Sequence, residues 1–146
     1  MAVILIFFSN NTFSIEKEKH RVGARCSVGR QKHKSSIQYY IITFLSDVIK
    51  LVVFNACFSE AQAENVVTYV DSAIGMGTSI SDEAACVFAA QLYSSIGFGN
   101  SLTTSFNQAV AALMLEGIPE EKTPKLYLRD GVTAEDVILV NPSSPE

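Results

Sequence analysis

The chain has 146 residues, 48% of them apolar and 18% charged, with a net charge of −4. That balance fits one compact domain and excludes a disordered or multidomain chain. The longest apolar run, Met1–Phe8, is far short of the roughly 18 to 20 residues that cross a bilayer, and it lacks the basic lead and small-residue cleavage site of a secretory signal, so the expected compartment is the cytoplasm.

Residues 1–8, rich in β-branched and aromatic types and ended by Ser9-Asn10-Asn11, read as a buried strand. From Thr12 to Ser36 no apolar stripe is present; residues 13–34 in particular form a basic, polar, irregular insert. Ile37, Tyr40, Ile41, Phe44 and Leu45 then share one helical face, with Ser35 or Ser36 as cap. Leu51–Phe54 is a short uninterrupted apolar run, typical of a parallel strand covered on both faces. Ser59 and Gln62 have capping-box spacing, which places a helix from about Ser59 to Thr68. A strand comes next, at Tyr69–Met76.

Ser81 caps the next helix, with Asp82 and Glu83 in its first turn and Phe88, Leu92 and Ile96 along one side. Gly97 and Gly99 stop it. A further helix runs from Ser101 to Gly117, carrying Leu102, Phe106, Val110, Leu113 and Met114 on one face. Lys125–Arg129 is a short strand, and residues 130–146 form an extended carboxyl-terminal tail. Strands alternating with helices imply an α/β fold with a mainly parallel sheet flanked by helices. The charge is uneven along this order: residues 1–46 hold seven Lys/Arg against two acids, whereas 47–146 hold four against thirteen.

Three cysteines (Cys26, Cys57, Cys86) without a CxxC pair argue against a disulfide framework and a zinc ribbon, so each is judged as a lone thiol. Two histidines, His20 and His33, exclude a site needing several imidazoles, and no metal or other cofactor is expected. Cys57 stands out by position, between the end of a strand and the start of a helix. The partial positive charge of unpaired N–H groups there stabilises a thiolate, and N–H groups of the same turn are placed to hold an oxyanion. The plain alternative is a small buried residue at a tight turn.

Asp71 and Asp82, read as lying near the carboxyl edge of the sheet, can line a substrate pocket for a basic side chain, with helix capping the competing role for Asp82. Cys86 reads as core. Gly75-Met76-Gly77 lacks the spacing and the following Lys of a phosphate loop. The basic insert carries no interleaved aromatic platform, so nucleic acid is not expected as a partner, and with no apolar run long enough to cross a bilayer neither is a membrane.

The stretch Leu51-Val52-Val53-Phe54-Asn55-Ala56-Cys57-Phe58-Ser59-Glu60-Ala61-Gln62-Ala63-Glu64, with Val70-Asp71-Ser72-Ala73-Ile74-Gly75-Met76 and Ile80-Ser81-Asp82-Glu83-Ala84-Ala85, resembles the CHAT family of caspase-like cysteine peptidases, of the caspase/separase/gingipain clan. Glu116-Gly117-Ile118-Pro119 and Thr123-Pro124 extend the resemblance, which covers roughly residues 37 to 129. It implies a caspase-like α/β sandwich over residues 1–129, with Cys57 in the nucleophile position and a peptide or protein as substrate.

The clan's general base is a histidine at the end of the neighbouring strand, in a pattern like His-Phe-Ser-Gly-His-Gly. Aligning Phe8-Ser9 with that pattern puts Asn11 in the histidine position, 46 positions before Cys57. An amide neither accepts a thiol proton nor returns one to a leaving amine. The resemblance therefore implies a domain derived from a cysteine endopeptidase and inactive here. The alternative is an active peptidase with Cys57 as nucleophile and His20 or His33 as base, although both lie among cationic neighbours that oppose their protonation. Compared with the family, the chain also begins at the histidine strand. The family's first strands are thus expected to be missing, as in a truncated domain, with Ala2–Phe8 an uncovered edge open to self-association.

Overall fold

The computed structural model describes residues 3–8, 13–16 and 49–142, the first two segments as strands. In chain order the elements are β1 (Val3–Phe8), β2 (Phe13–Glu16), β3 (Ile49–Asn55), α1 (Glu60–Val66), β4 (Ser72–Met76), α2 (Asp82–Gly97), α3 (Leu102–Leu115) and β5 (Pro124–Leu128). The strands form one sheet in the order β2-β1-β3-β4-β5. β1, β3 and β4 are parallel, whereas β2 and β5 join β1 and β4 antiparallel. The fold is α/β with helices on the sheet, as expected, but the sheet is mixed rather than mainly parallel. Two short outer strands run back against the parallel centre.

Alternation along the central strands divides the core. Leu51 and Val53 of β3 and Ile74 and Met76 of β4 pack under α2 and α3 with Phe88, Leu92, Leu102 and Leu113. Val52, Phe54 and Ala73 face the other way, onto Ala63 and Val66 of α1. Side chains two apart along a strand share a face, so a strand buried on both sides reads as an unbroken apolar run. The Phe88 and Phe106 rings meet edge to face, 5.9 Å between centroids, across the α2–α3 contact.

Two of the expected helix caps form locally. The Ser81 hydroxyl accepts the Ala84 N–H at 3.2 Å, and the Ser101 hydroxyl accepts the Thr104 N–H at 3.3 Å. The capping box at Ser59 does not form. Its side chain makes no cap bond; the hydroxyl instead donates to the Phe54 carbonyl at 2.8 Å and accepts the Met76 N–H at 3.0 Å, tying β3 to β4.

Several other expectations are corrected. The irregular insert begins with a strand, β2, paired along the outer side of β1. β1 is therefore not an open edge. Residues 130–142, within the stretch expected as an extended tail, are held against the start of α3. The Val137 and Ala134 carbonyls accept the Leu102 and Thr103 N–H groups at the start of α3, and Ala134 and Leu139 are buried. This strap satisfies N–H groups that the first turn of a helix leaves without an internal partner. Cys86 on α2 is disulfide-bonded rather than a lone thiol, its partner lying outside the described residues, as does the helix expected over Ile37–Leu45. Among the described residues no helix is long and apolar enough to cross a membrane.

Candidate active site

Cys57 stands two residues beyond the end of β3 and three before α1, in the position the sequence implied. It is exposed, and its Sγ points to the α2 side of the sheet. There the Ile80 N–H donates to Sγ at 3.3 Å, and the thiol donates to the Ile80 carbonyl at 3.5 Å. The next residue, Phe58, is the single non-glycine residue with a left-handed backbone among the described residues, φ 55°, and its ring is 69% exposed. For a bulky side chain that conformation is a strained outlier. What holds it is the Phe58 N–H, donated to the Thr78 carbonyl at 3.1 Å. Thus the Cys57 turn is laced to the Gly77–Ile80 loop through both its thiol and its backbone. The Phe58 N–H, a donor of this turn expected to serve an oxyanion, is spent on Thr78.

Beneath the turn, Asn55 continues the Leu51–Val53 face of β3. It is 1% exposed; its Nδ2 donates to the Ala85 carbonyl at 2.9 Å, and its Oδ1 has no hydrogen-bond partner among the described residues. A buried amide oxygen left unpaired is unfavourable, so its position two residues before the thiol is a feature to explain.

The opposite face carries a separate polar group. Glu60, in the first turn of α1, accepts the Tyr127 hydroxyl. That bond, with burial and the carboxylate charges of Glu60 and Glu64 adding to it, pushes the Tyr127 hydroxyl up to about 12. Gly75 lets this helix sit close: a Cβ there would lie 2.7 Å from the Ser59 carbonyl oxygen and 2.8 Å from the Ala63 Cβ.

No model of a known protein family matches the chain, and no curated protein matches it. The site is read from its own geometry.

That geometry separates the expected pocket residues. Asp82 lies in the first turn of α2, after Ser81, whose own N–H donates to Glu120 Oε2 at 2.8 Å. It shares the carboxyl edge of the sheet with Cys57, since β4 ends at Met76 and leads into this loop. Asp71 does not. It immediately precedes β4, at the amino edge of the parallel strands, and the sheet separates it from Cys57. There its carboxylate pairs with Lys50 Nζ at 2.8 Å and with the Arg129 guanidinium. Asp71 is a clamp joining the ends of β3, β4 and β5, at the edge of the sheet opposite Cys57.

Asn11, His20 and His33 lie outside the described residues. Residues 49–142 contain no histidine, and among the described residues no group of three His, Cys, Asp or Glu side chains comes together that can hold a metal ion. Sequence reasoning missed Ile80, which grips the thiol with backbone groups that any residue carries. It also missed the Glu60–Tyr127 bond, whose members are 67 positions apart. Gly75 had a signal: a glycine inside a buried strand marks a close approach.

Proposed function

We propose that the chain is a caspase-like domain of CHAT type, derived from a cysteine endopeptidase, with Cys57 in the nucleophile position and the general base replaced at Asn11. The observation that carries this reading is the placement of Cys57 at the carboxyl edge of a parallel strand, ahead of a helix, beside a parallel neighbour. In the β1–β3 register Phe8 lies opposite Asn55, so the chain leaving β1 starts next to the Cys57 turn. That is the place from which the resemblance brings the clan's general base to the thiol. Without an imidazole there, transfer of the thiol proton and its return to a leaving amine have no carrier. Peptide binding at the carboxyl edge, with Asp82 on its rim, is what remains to such a domain. A cytoplasmic setting keeps an exposed thiol reduced and suits Cys57, while the disulfide at Cys86 favours a more oxidising one.

The test is incubation of the purified chain with a mixed peptide library, beside Cys57→Ala and Asn11→His. No cleavage by the parent and a gain in Asn11→His that Cys57→Ala abolishes is the expected result. Cleavage by the parent that disappears in Cys57→Ala would establish the active alternative, with His20→Ala and His33→Ala then deciding the base.

A further inference from the structure

We propose that β5 pairs with β5 of a second copy of this chain, joining two sheets edge to edge. The inference goes beyond the reading of Cys57 and does not depend on it. β5 ends the sheet, and among the described residues no strand lies beyond it. The Gly77 N–H donates to the Thr123 carbonyl at 2.9 Å, and the Arg129 N–H to the Asp71 carbonyl at 3.0 Å. Bonded residues alternate along an antiparallel ladder, so Lys125 and Tyr127 turn their backbone groups to Gly75 and Ala73. Leu126 and Leu128 therefore turn theirs outward, as does the Pro124 carbonyl. Such a row of N–H and C=O groups is a template for another strand.

The side chains favour a second copy and fix its register. Two antiparallel copies related by a two-fold axis keep both leucines bonded within β5 when centred on Leu126 or on Tyr127. Centring on Tyr127 sets Lys125 against Arg129 of the second copy, and like charges directly opposite are destabilising. Centring on Leu126 sets Lys125 against Tyr127 instead. That phenol is bonded to Glu60, and Lys125 is exposed, with no ion pair among the described residues. The ammonium of each copy thus meets the Glu60–Tyr127 pair of the other, while Leu126, packed against the α2–α3 core, meets itself. The bonds that close this register run from each Leu126 N–H to the other Leu126 C=O and from each Leu128 N–H to the other Pro124 C=O. Proline brings no N–H, so the ladder ends there.

Sedimentation equilibrium of the full chain, loaded up to about 500 µM, reads the dimer, which is weak because one strand edge buries less than roughly 1,200 Å². The chain carries Cys57→Ala, so that cross-links through the exposed thiol do not count. In that background Leu126→Pro deletes the outward N–H and no bond to β4, the setting in which edge strands accept proline. Leu126→Ala shortens the side chain and keeps the N–H. Leu126→Pro is expected to weaken the dimer roughly thirtyfold relative to Leu126→Ala, for the pair of bonds lost. Lys125→Glu is expected to weaken it roughly tenfold relative to the Lys125 chain, less at high salt. Thermal melts at low concentration establish that each variant folds; should Leu126→Pro not fold, the exposed Lys125→Glu decides. A chain monomeric up to about 500 µM would overturn the pairing and leave the edge to an extended strand of another protein. A dimer as tight in Leu126→Pro as in Leu126→Ala, or indifferent to Lys125→Glu, would overturn it as well.

Discussion

Gly75→Ala tests whether the close seating of α1 on β4 holds the Cys57 turn in place. The new Cβ would lie 2.7 Å from the Ser59 carbonyl oxygen, 2.8 Å from the Ala63 Cβ and 3.1 Å from the Glu60 Cα. None of these atoms ends a flexible side chain, so the helix itself must retreat. Overpacking of this kind costs about 1–3 kcal/mol. Retreat also strains the two Ser59 hydrogen bonds to Phe54 and Met76, each contributing about 1 kcal/mol. Alanine recovers about 0.4–1 kcal/mol by restricting the unfolded chain. The balance is a loss of about 2–3 kcal/mol, seen in urea as a midpoint lower by roughly 1–2 M at an unchanged slope. Gly77→Ala is the internal control, because its Cβ meets only the far ends of Glu60 and Lys125, at 3.2 and 3.6 Å. A Gly75→Ala midpoint equal to the parent, or to Gly77→Ala, would refute the packing argument.

Other consequences can be measured on the same protein. Asp71→Asn removes a carboxylate shared by two half-exposed cations, so it should cost about 1 kcal/mol, less at high salt, and leave Cys57 alkylation unchanged. A changed alkylation rate would place Asp71 at the site after all. Tyr127 is raised from 10.0 to about 12, which means the fold favours its protonated form. The stability this contributes is complete below pH 10 and is lost as the pH rises toward 12. Tyr127→Phe should therefore show a shallower loss of stability over that window than the parent, and parallel curves would contradict the assignment. Ser105 is fully buried on α3, and its hydroxyl has no hydrogen-bond partner among the described residues. Ser105→Ala should raise the melting temperature by removing a polar group that costs about 1–3 kcal/mol to bury unpaired; a lower melting temperature would mean that the hydroxyl has a partner in solution.

The features legible in the sequence are those decided locally. Ser81 and Ser101 cap their helices because each hydroxyl finds an N–H three residues on. Ser59 has the same signature and fails, because Phe54 and Met76 compete for its hydroxyl from the strand behind and the strand beside it. β2, four residues in a basic stretch, is too short for its alternation to stand out. Asp71 reads as part of a strand beginning at Tyr69, whereas β4 begins at Ser72. Once the strand starts after Asp71, its direction puts that residue opposite the carboxyl edge. The Cys86 disulfide and the packing of residues 130–142 depend on partners distant in the chain, which no local pattern encodes.

The facing of β3 also narrows where a base for Cys57 can come from. An unbroken apolar run such as Leu51–Phe54 conceals which of its residues faces which layer. The structure resolves this by placing Leu51 and Val53 under α2 and α3 and Asn55 against Ala85. Cys57 lies on that side too, and its thiol meets Ile80. Glu60 is only three residues away, yet it turns to Tyr127 on the α1 face. The nearest carboxylate in sequence is thus across the sheet edge from the sulfur and engaged with a phenol. No histidine occurs in residues 49–142. An imidazole for Cys57 has to be supplied from residues 1–48, where His20 and His33 are the two histidines of the chain, so Asn11→His, His20→Ala and His33→Ala are the substitutions that decide whether this thiol can act as a nucleophile.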